Sequence, residues 1–320
     1  MQCHQCQAPV SAQARFCDQC GSRLKSDSEG LHERALDQYH RGRIEEALAL
    51  WDETVARCPD FSIGHYYRGM ALYDRGDLVE AIAAFRQSLN GTEEPFRVLF
   101  KMGMAQYGLG DLTGSVDSFT RALKINPGSA ETHYRLGLTH LRRSDLNEAS
   151  AALNQAIRLN PKYTRALFIL GMVYSQQGET DQAIDQFRRV VAASPAYTAA
   201  LFELGMALYR ELRLEAAAEA FSQAIEHSPR FAPARYMLGE TRRRALDLEG
   251  AIAAYGEALE INPKDLDSWL RLAECQLQQG RLAEARHALD EAFAIQPKNP
   301  DVLSLHRLLE EQEKLPREKG

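Results

Sequence analysis

Two cysteine pairs with one spacing open the chain: Cys3-x-x-Cys6 and Cys17-x-x-Cys20, ten residues apart. Each Cys-x-x-Cys turn presents two thiolates at the bite of a tetrahedral ion, so the two turns together supply a four-sulfur zinc site. Gly21, directly after the second pair, suits the tight knuckle of such a turn. Other thiol chemistries fit less well. A disulfide framework needs an oxidising compartment, and the first residues do not read as a signal peptide. Haem attachment needs a histidine straight after the pair, where Gln7 and Gly21 stand. A thioredoxin-like centre needs a βαβ context that the sequence lacks. The expected ligands are therefore Cys3, Cys6, Cys17 and Cys20, with zinc as cofactor. So short a head builds no core of its own, and its folding should be coupled to the metal. Cys58 and Cys275 lie far from it and read as small core residues.

Catalytic motifs are missing. There is no glycine-rich phosphate loop ending in Lys-Ser/Thr, no His-Glu-x-x-His and no Gly-x-Ser-x-Gly. The nine histidines do not cluster, and His133 and His140, two turns apart on one helix face, read as satisfied packing residues. We expect a non-enzyme. The net charge is −6, and no apolar run approaches the ~18 residues of a membrane span. Those features suit a cytoplasmic protein. The head carries Arg15, Arg23 and Lys25 against Asp18 and Asp27, too little positive charge for strong phosphate binding, so nucleic acid is not the expected partner.

The elements that must position any site follow from a period. From Ser28 one pattern recurs every 34 residues, eight times, as units 28–61, 62–95, 96–129, 130–163, 164–197, 198–231, 232–265 and 266–299. The eighth position is small throughout: Ala35, Gly69, Gly103, Gly137, Gly171, Gly205, Gly239, Ala273. The twentieth is Ala47, Ala81, Ser115, Ala149, Ala183, Ala217, Ala251, Ala285. The twenty-fourth is large and apolar: Trp51, Phe85, Phe119, Leu153, Phe187, Phe221, Tyr255, Leu289. Small residues inside helices allow another element close, and a bulky one fills the gap. Gly42, Gly76, Gly110, Gly178 and Gly280 suit left-handed caps between two helices, and Asp77, Asp111, Asp145 and Asp247 suit N-caps of the second helix. A proline near each unit's end stops that helix. The second unit departs: it ends Asn90-Gly91-Thr92-Glu93-Glu94-Pro95, which predicts an early helix stop and a local irregularity, not a domain boundary.

These units resemble tetratricopeptide repeats. Residues 164–197 carry Leu170-Gly171, Tyr174, Ala183, Phe187 and Pro195, and 266–299 carries Trp269. The head resembles short bacterial zinc ribbons, whose fuller pattern also has glycine after the first pair; Gln7 stands there and predicts a less regular knuckle. The resemblance implies an all-α, right-handed α-solenoid of eight helical hairpins. Residues 1–25 form a zinc-ribbon module, 26–30 a short linker, 31–299 the repeats, and 300–320 a capping helix and tail. Val302, Leu305, Leu308 and Leu309 share the cap's apolar face, and Glu313 to Gly320 is expected to fray.

In that family the first helices line a concave groove that binds extended protein segments. By that correspondence the groove holds Tyr66, Met70, Phe100, Met104, Tyr134, Phe168, Met172, Phe202 and Met206, edged by Arg97, Lys101, Arg135 and Arg165, with Arg142 and Arg210 nearby. Polarisable methionines and rings suit an adaptable peptide site. The same rings serve equally to pack neighbouring helices, and the charges equally form a solvated face. Some family members clamp a C-terminal carboxylate with lysine, arginine and asparagine; Arg97 and Lys101 match half of that, but Leu36 and Tyr67 replace the asparagines. The expected function is an interaction scaffold or adaptor. The alternative is a nucleic-acid- or transcription-linked factor acting through the zinc ribbon.

Overall fold

The computed structural model describes residues 5–9, 11, 16–21 and 27–314. Among them every regular element is a helix, with isolated β-bridge residues at Pro9 and Phe16. The chain divides into two compact units, Met1–Pro161 and Lys162–Gly320.

The first unit holds α1 (Asp27–His40), α2 (Ile44–Arg57), α3 (Ser62–Arg75), α4 (Leu78–Ser88), α5 (Pro95–Leu109), α6 (Leu112–Ile125), α7 (Ala130–Arg142) and α8 (Leu146–Leu159). The second holds α9 (Thr164–Gln177), α10 (Thr180–Ala193), α11 (Thr198–Arg210), α12 (Leu214–His227), α13 (Ala232–Arg244), α14 (Leu248–Ile261), α15 (Leu266–Gln278), α16 (Leu282–Ile295) and α17 (Pro300–Lys314). Within each unit every odd helix packs on the even helix that follows, and that helix on the next odd one. Helix α1 starts inside the stretch read as a linker, because Asp27 and Glu29 place acidic charge on its N-terminal dipole.

The columns have a steric cause. A Cβ added at Gly69, Gly103, Gly171, Gly205 or Gly239 would lie 2.6–2.8 Å from the aromatic ring at the twenty-fourth position of the same repeat. Those rings, Phe85, Phe119, Phe187, Phe221 and Tyr255, are fully buried. Where the twentieth position is Ser115, its hydroxyl donates to the carbonyl oxygen of Gly103 at 3.0 Å, so the polar group is satisfied inside the pair. A second regularity joins successive hairpins at the fourth position of the first helix. The Trp269 indole N–H donates to the Pro263 carbonyl at 2.9 Å, Arg235 donates to Pro229, and the rings of His65 and His133 meet Pro59 and Pro127. The periodicity did not reveal this clasp, because three different side-chain types perform it.

The turn between the paired helices is left-handed in all eight repeats. Gly42, Gly76, Gly110, Gly178 and Gly280 supply it, but Ser144, Leu212 and Leu246 adopt φ of 65°, 58° and 64° at the same position. The expected N-caps divide. Asp111 and Asp247 accept from the backbone N–H of Gly114 and Gly250, whose missing Cβ leaves room for the carboxylate. Asp77 and Asp145 make no cap bond; Asp77 takes Arg75, and Asp145 faces His140 and Arg143. Unforeseen caps stand on first helices instead, Ser129 on Thr132 and Asp265 on Ser268.

The irregular second unit behaves as its residues require. Helix α4 has 11 residues where the other second helices have 14, Gly91 turns at φ 81°, and Pro95 begins α5. The division between compact units falls elsewhere, after Pro161. At the far end α17 covers the last hairpin with Val302 and Leu309, both fully buried. Leu308, expected on the same face, is 41 % exposed, since the helix turns it away from α15 and α16. Glu313, expected to fray, is helical and paired with Arg286. Residues 315–320 lie outside the described residues. No described helix is long and apolar enough to cross a membrane.

Candidate functional site

The head brings three of its four cysteines together. The Sγ atoms of Cys6, Cys17 and Cys20 lie within 4.8 Å of one another, and those of Cys6 and Cys17 are 3.5 Å apart. A tetrahedral ion with metal–sulfur bonds of about 2.3 Å needs sulfurs about 3.8 Å apart, so the three thiols fit one metal ion. Cys17 is buried and Cys6 and Cys20 are exposed. The knuckle after the second pair closes with Gly21 N–H donating to the Cys17 carbonyl at 2.8 Å, at φ 69°. Gln7 adopts φ 59° after the first pair, the same conformation rather than a less regular one. The backbone geometry prevails over the cost of a side chain there, about 1–2 kcal/mol. Cys3, the fourth expected ligand, lies outside the described residues. Cys275 is fully buried, and burial pushes its thiol up to about 11, as befits a packing residue.

In the first unit the groove positions divide into packing and open surface. Tyr66 and Tyr134 are 8 % and 7 % exposed, so these two expected groove residues are core. The Tyr66 ring lies 6.0 Å from that of Phe85, and burial raises its hydroxyl pKa against the opposing pull of Arg97. Phe100 is half-buried, its ring 5.8 Å from Phe119 and 6.4 Å from Phe96. Met70 and Met104 are half-buried, and Met70 rests on the core. Two residues of the basic edge carry carboxylate partners. Arg97 pairs with Glu94 and lies 5.2 Å above the Tyr66 ring, while Arg135 pairs with Glu131 at 2.6 Å. Arg142 donates to the Tyr107 carbonyl at 2.7 Å. Lys101 is half-buried and makes no hydrogen bond or ion pair among the described residues.

In the second unit Phe168 and Phe202 are half-buried, with rings 5.9 and 5.7 Å from Phe187 and Phe221. Tyr197 and Phe231, the last residues of their repeats, close on them at 5.2 Å each. Met172 and Met206 rest on the same core and are half-buried; Arg165 is exposed. Further along, the ninth position changes from methionine to glutamate, and a charge network replaces the apolar column. Glu240, 8 % exposed, accepts from Arg243 at 2.9 Å and from the Tyr255 hydroxyl at 2.5 Å. Burial alone would raise its pKa; these bonds outweigh that and lower it. Arg271 pairs with Glu274 at 2.8 Å. Glu203, at the sixth position of α11, escaped notice in the sequence, although reading the sixth column as the fifth and ninth were read would have exposed it.

These repeating hairpins agree with comparison to known proteins. Tetratricopeptide-repeat profiles match residues 32–97, 100–164, 134–198, 170–235 and 242–309. A search of the curated proteins returns no match. Among solved structures, YrrB, described as a TPR protein with an unusual peptide-binding site, is 21 % identical, with a TM-score of 0.54, over 60 % of this chain and 99 % of its own. MamA is 25 % identical with a TM-score of 0.52, over 54 % of this chain and 94 % of its own. A tetratricopeptide repeat protein from Parabacteroides merdae is 15 % identical with a TM-score of 0.54, over 78 % of this chain and 98 % of its own. The 34-residue register, the small-against-large columns and profile matches over most of the chain make it a member of the tetratricopeptide-repeat family.

Proposed function

We propose that this chain is a protein-interaction scaffold or adaptor that takes an extended protein segment along the first-helix faces of its repeats, with a zinc-holding head. The observation that carries the reading recurs within each compact unit: half-buried methionines, Met70 and Met104 in the first and Met172 and Met206 in the second, each stand beside an aromatic ring that already packs on its own second helix. The rings are occupied; the thioethers keep an open side and adapt to a partner's shape. YrrB, similar in fold, is described as having a peptide-binding site, which supports the same use here. Cys6, Cys17 and Cys20, with Cys3 completing the set, are the proposed zinc ligands, and thiols kept reduced for metal suit the cytoplasm. Arg97 and Arg135 already carry carboxylate partners, so they act as rim charges that steer encounter more than as a clamp. Affinity capture from the native cell tests the reading. Met104→Glu with Met172→Glu should abolish capture while helicity and melting stay near wild type. Capture that survives both changes refutes the groove as the binding face.

A further inference from the structure

One carboxylate in the second unit is out of keeping with its surroundings. Glu203 sits at the sixth position of α11 and is half-buried. The same position holds Ile169 in α9 and Met237 in α13, both half-buried, and Phe202 and Met206 flank it on its own helix. Two acids at the ninth position in this unit are provided for: Glu240 is held by Arg243 at 2.9 Å and Glu274 by Arg271 at 2.8 Å. Glu203 makes no hydrogen bond or ion pair with any described residue. Arg210, two turns along α11, exerts a favourable field but stays beyond ion-pair distance, and burial prevails: the Glu203 carboxyl is held above the usual carboxylate range. Burying a charge without a partner is costly, and folded chains avoid it unless something outside the chain supplies the partner.

The repeat register says where such a partner would lie. In α15 the sixth-position side chain, Arg271, reaches back to the ninth-position Glu240 of the preceding first helix, 3.5 Å away. The same register sets Glu203 of α11 against the ninth-position Met172 and its neighbour Phe168 on α9. By that register the neighbours of Glu203 on α9 are a methionine and a phenylalanine, both packed on the same apolar core as Phe202 and Met206. We infer that this face of the second unit selects a segment carrying a lysine or arginine between apolar residues, with Glu203 receiving the cation and Met172 and Met206 the apolar neighbours. The inference rests on the proposed binding of extended segments by first-helix faces, and supplies the chemistry of the segment. A cation brought to Glu203 would restore the pairing that Glu240 and Glu274 already have.

The test is to pan a displayed random dodecapeptide library on the full-length chain and to measure selected synthetic peptides by fluorescence anisotropy. Peptides should converge on one basic residue flanked by apolar ones. Glu203→Gln, which keeps the shape and removes the charge, should weaken the best peptide about tenfold or more, with unchanged circular dichroism. Glu203→Lys should reverse the preference, so that exchanging the peptide's basic residue for glutamate restores binding. Peptides lost on Met172→Glu but without a basic residue, and indifferent to Glu203→Gln, would overturn the inference while leaving groove binding intact. Failure to select any peptide sensitive to Met104→Glu or Met172→Glu would overturn both.

Discussion

Replacing Gly171 with alanine should weaken the fold, whereas the identical change at Gly256 should strengthen it. Both glycines are helical, in α9 and α14 of the same compact unit. In each case alanine gains about 1 kcal/mol of helix propensity. At Gly256 nothing lies within 4 Å of the new Cβ, so that gain should appear undiminished. At Gly171 the Cβ would lie 2.6 Å from Phe187 Cε1 and 2.9 Å from two further ring atoms. The ring is fully buried and has no free side to move toward. Overpacking of this kind costs about 1–3 kcal/mol. Subtracting the propensity gain leaves Gly171→Ala destabilised by up to about 2 kcal/mol. The two variants should therefore differ by about 1–3 kcal/mol, read as separated urea midpoints followed by circular dichroism at constant m. Adding Phe187→Leu should recover part of the loss, because Ala273 and Leu289 occupy these two positions together in the last repeat and both are fully buried. Equal midpoints for the two alanine variants, or a stabilised Gly171→Ala, would refute the account of the small-residue column.

Three further outcomes follow from the geometry. Leu246 is 86 % exposed at φ 64°, so Leu246→Gly should remove left-handed strain with little loss of burial and raise stability by about 1 kcal/mol; a lower melting temperature would count against it. Purified protein should carry about one equivalent of zinc by elemental analysis, and Cys17→Ser should lose it; full retention would place the metal elsewhere. His32 is buried and accepts the Trp51 indole N–H at 3.0 Å, and burial holds its pKa below the ordinary value, against the opposing field of Glu33. The unfolded chain thus gains a proton near pH 6.5 while the folded chain does not. Stability should fall as pH drops below about 6.5, by at most about 1.4 kcal/mol per unit, until the folded pKa is passed. His32→Gln should flatten that slope between pH 7 and 5.5, and an unchanged slope would dismiss the histidine as its source.

The sequence alone determined the hairpins, their register and the converging thiols. Periodic columns such as Gly171 against Phe187 are local consequences of a 34-residue unit packing on itself, so position within the unit specifies environment. The Cys-x-x-Cys spacing likewise fixes the bite of Cys17 with Cys20, and Cys6 was expected beside them because its pair repeats the same motif. Tertiary structure alone decided which of the expected groove residues keep an open side. Tyr66, Tyr134 and Phe100 share the fifth position, yet the two tyrosines are core and the phenylalanine is half-open, a difference that the period does not encode. Whether a charge is spent also depended on partners the period does not encode: Arg97 and Arg135 found carboxylates within one turn, Glu240 found Arg243, and Glu203 found none. The left-handed turns at Leu212 and Leu246 belong to the same class. Glycine announces that conformation in five repeats, while in the others helix packing on both sides imposes it on residues that would not choose it.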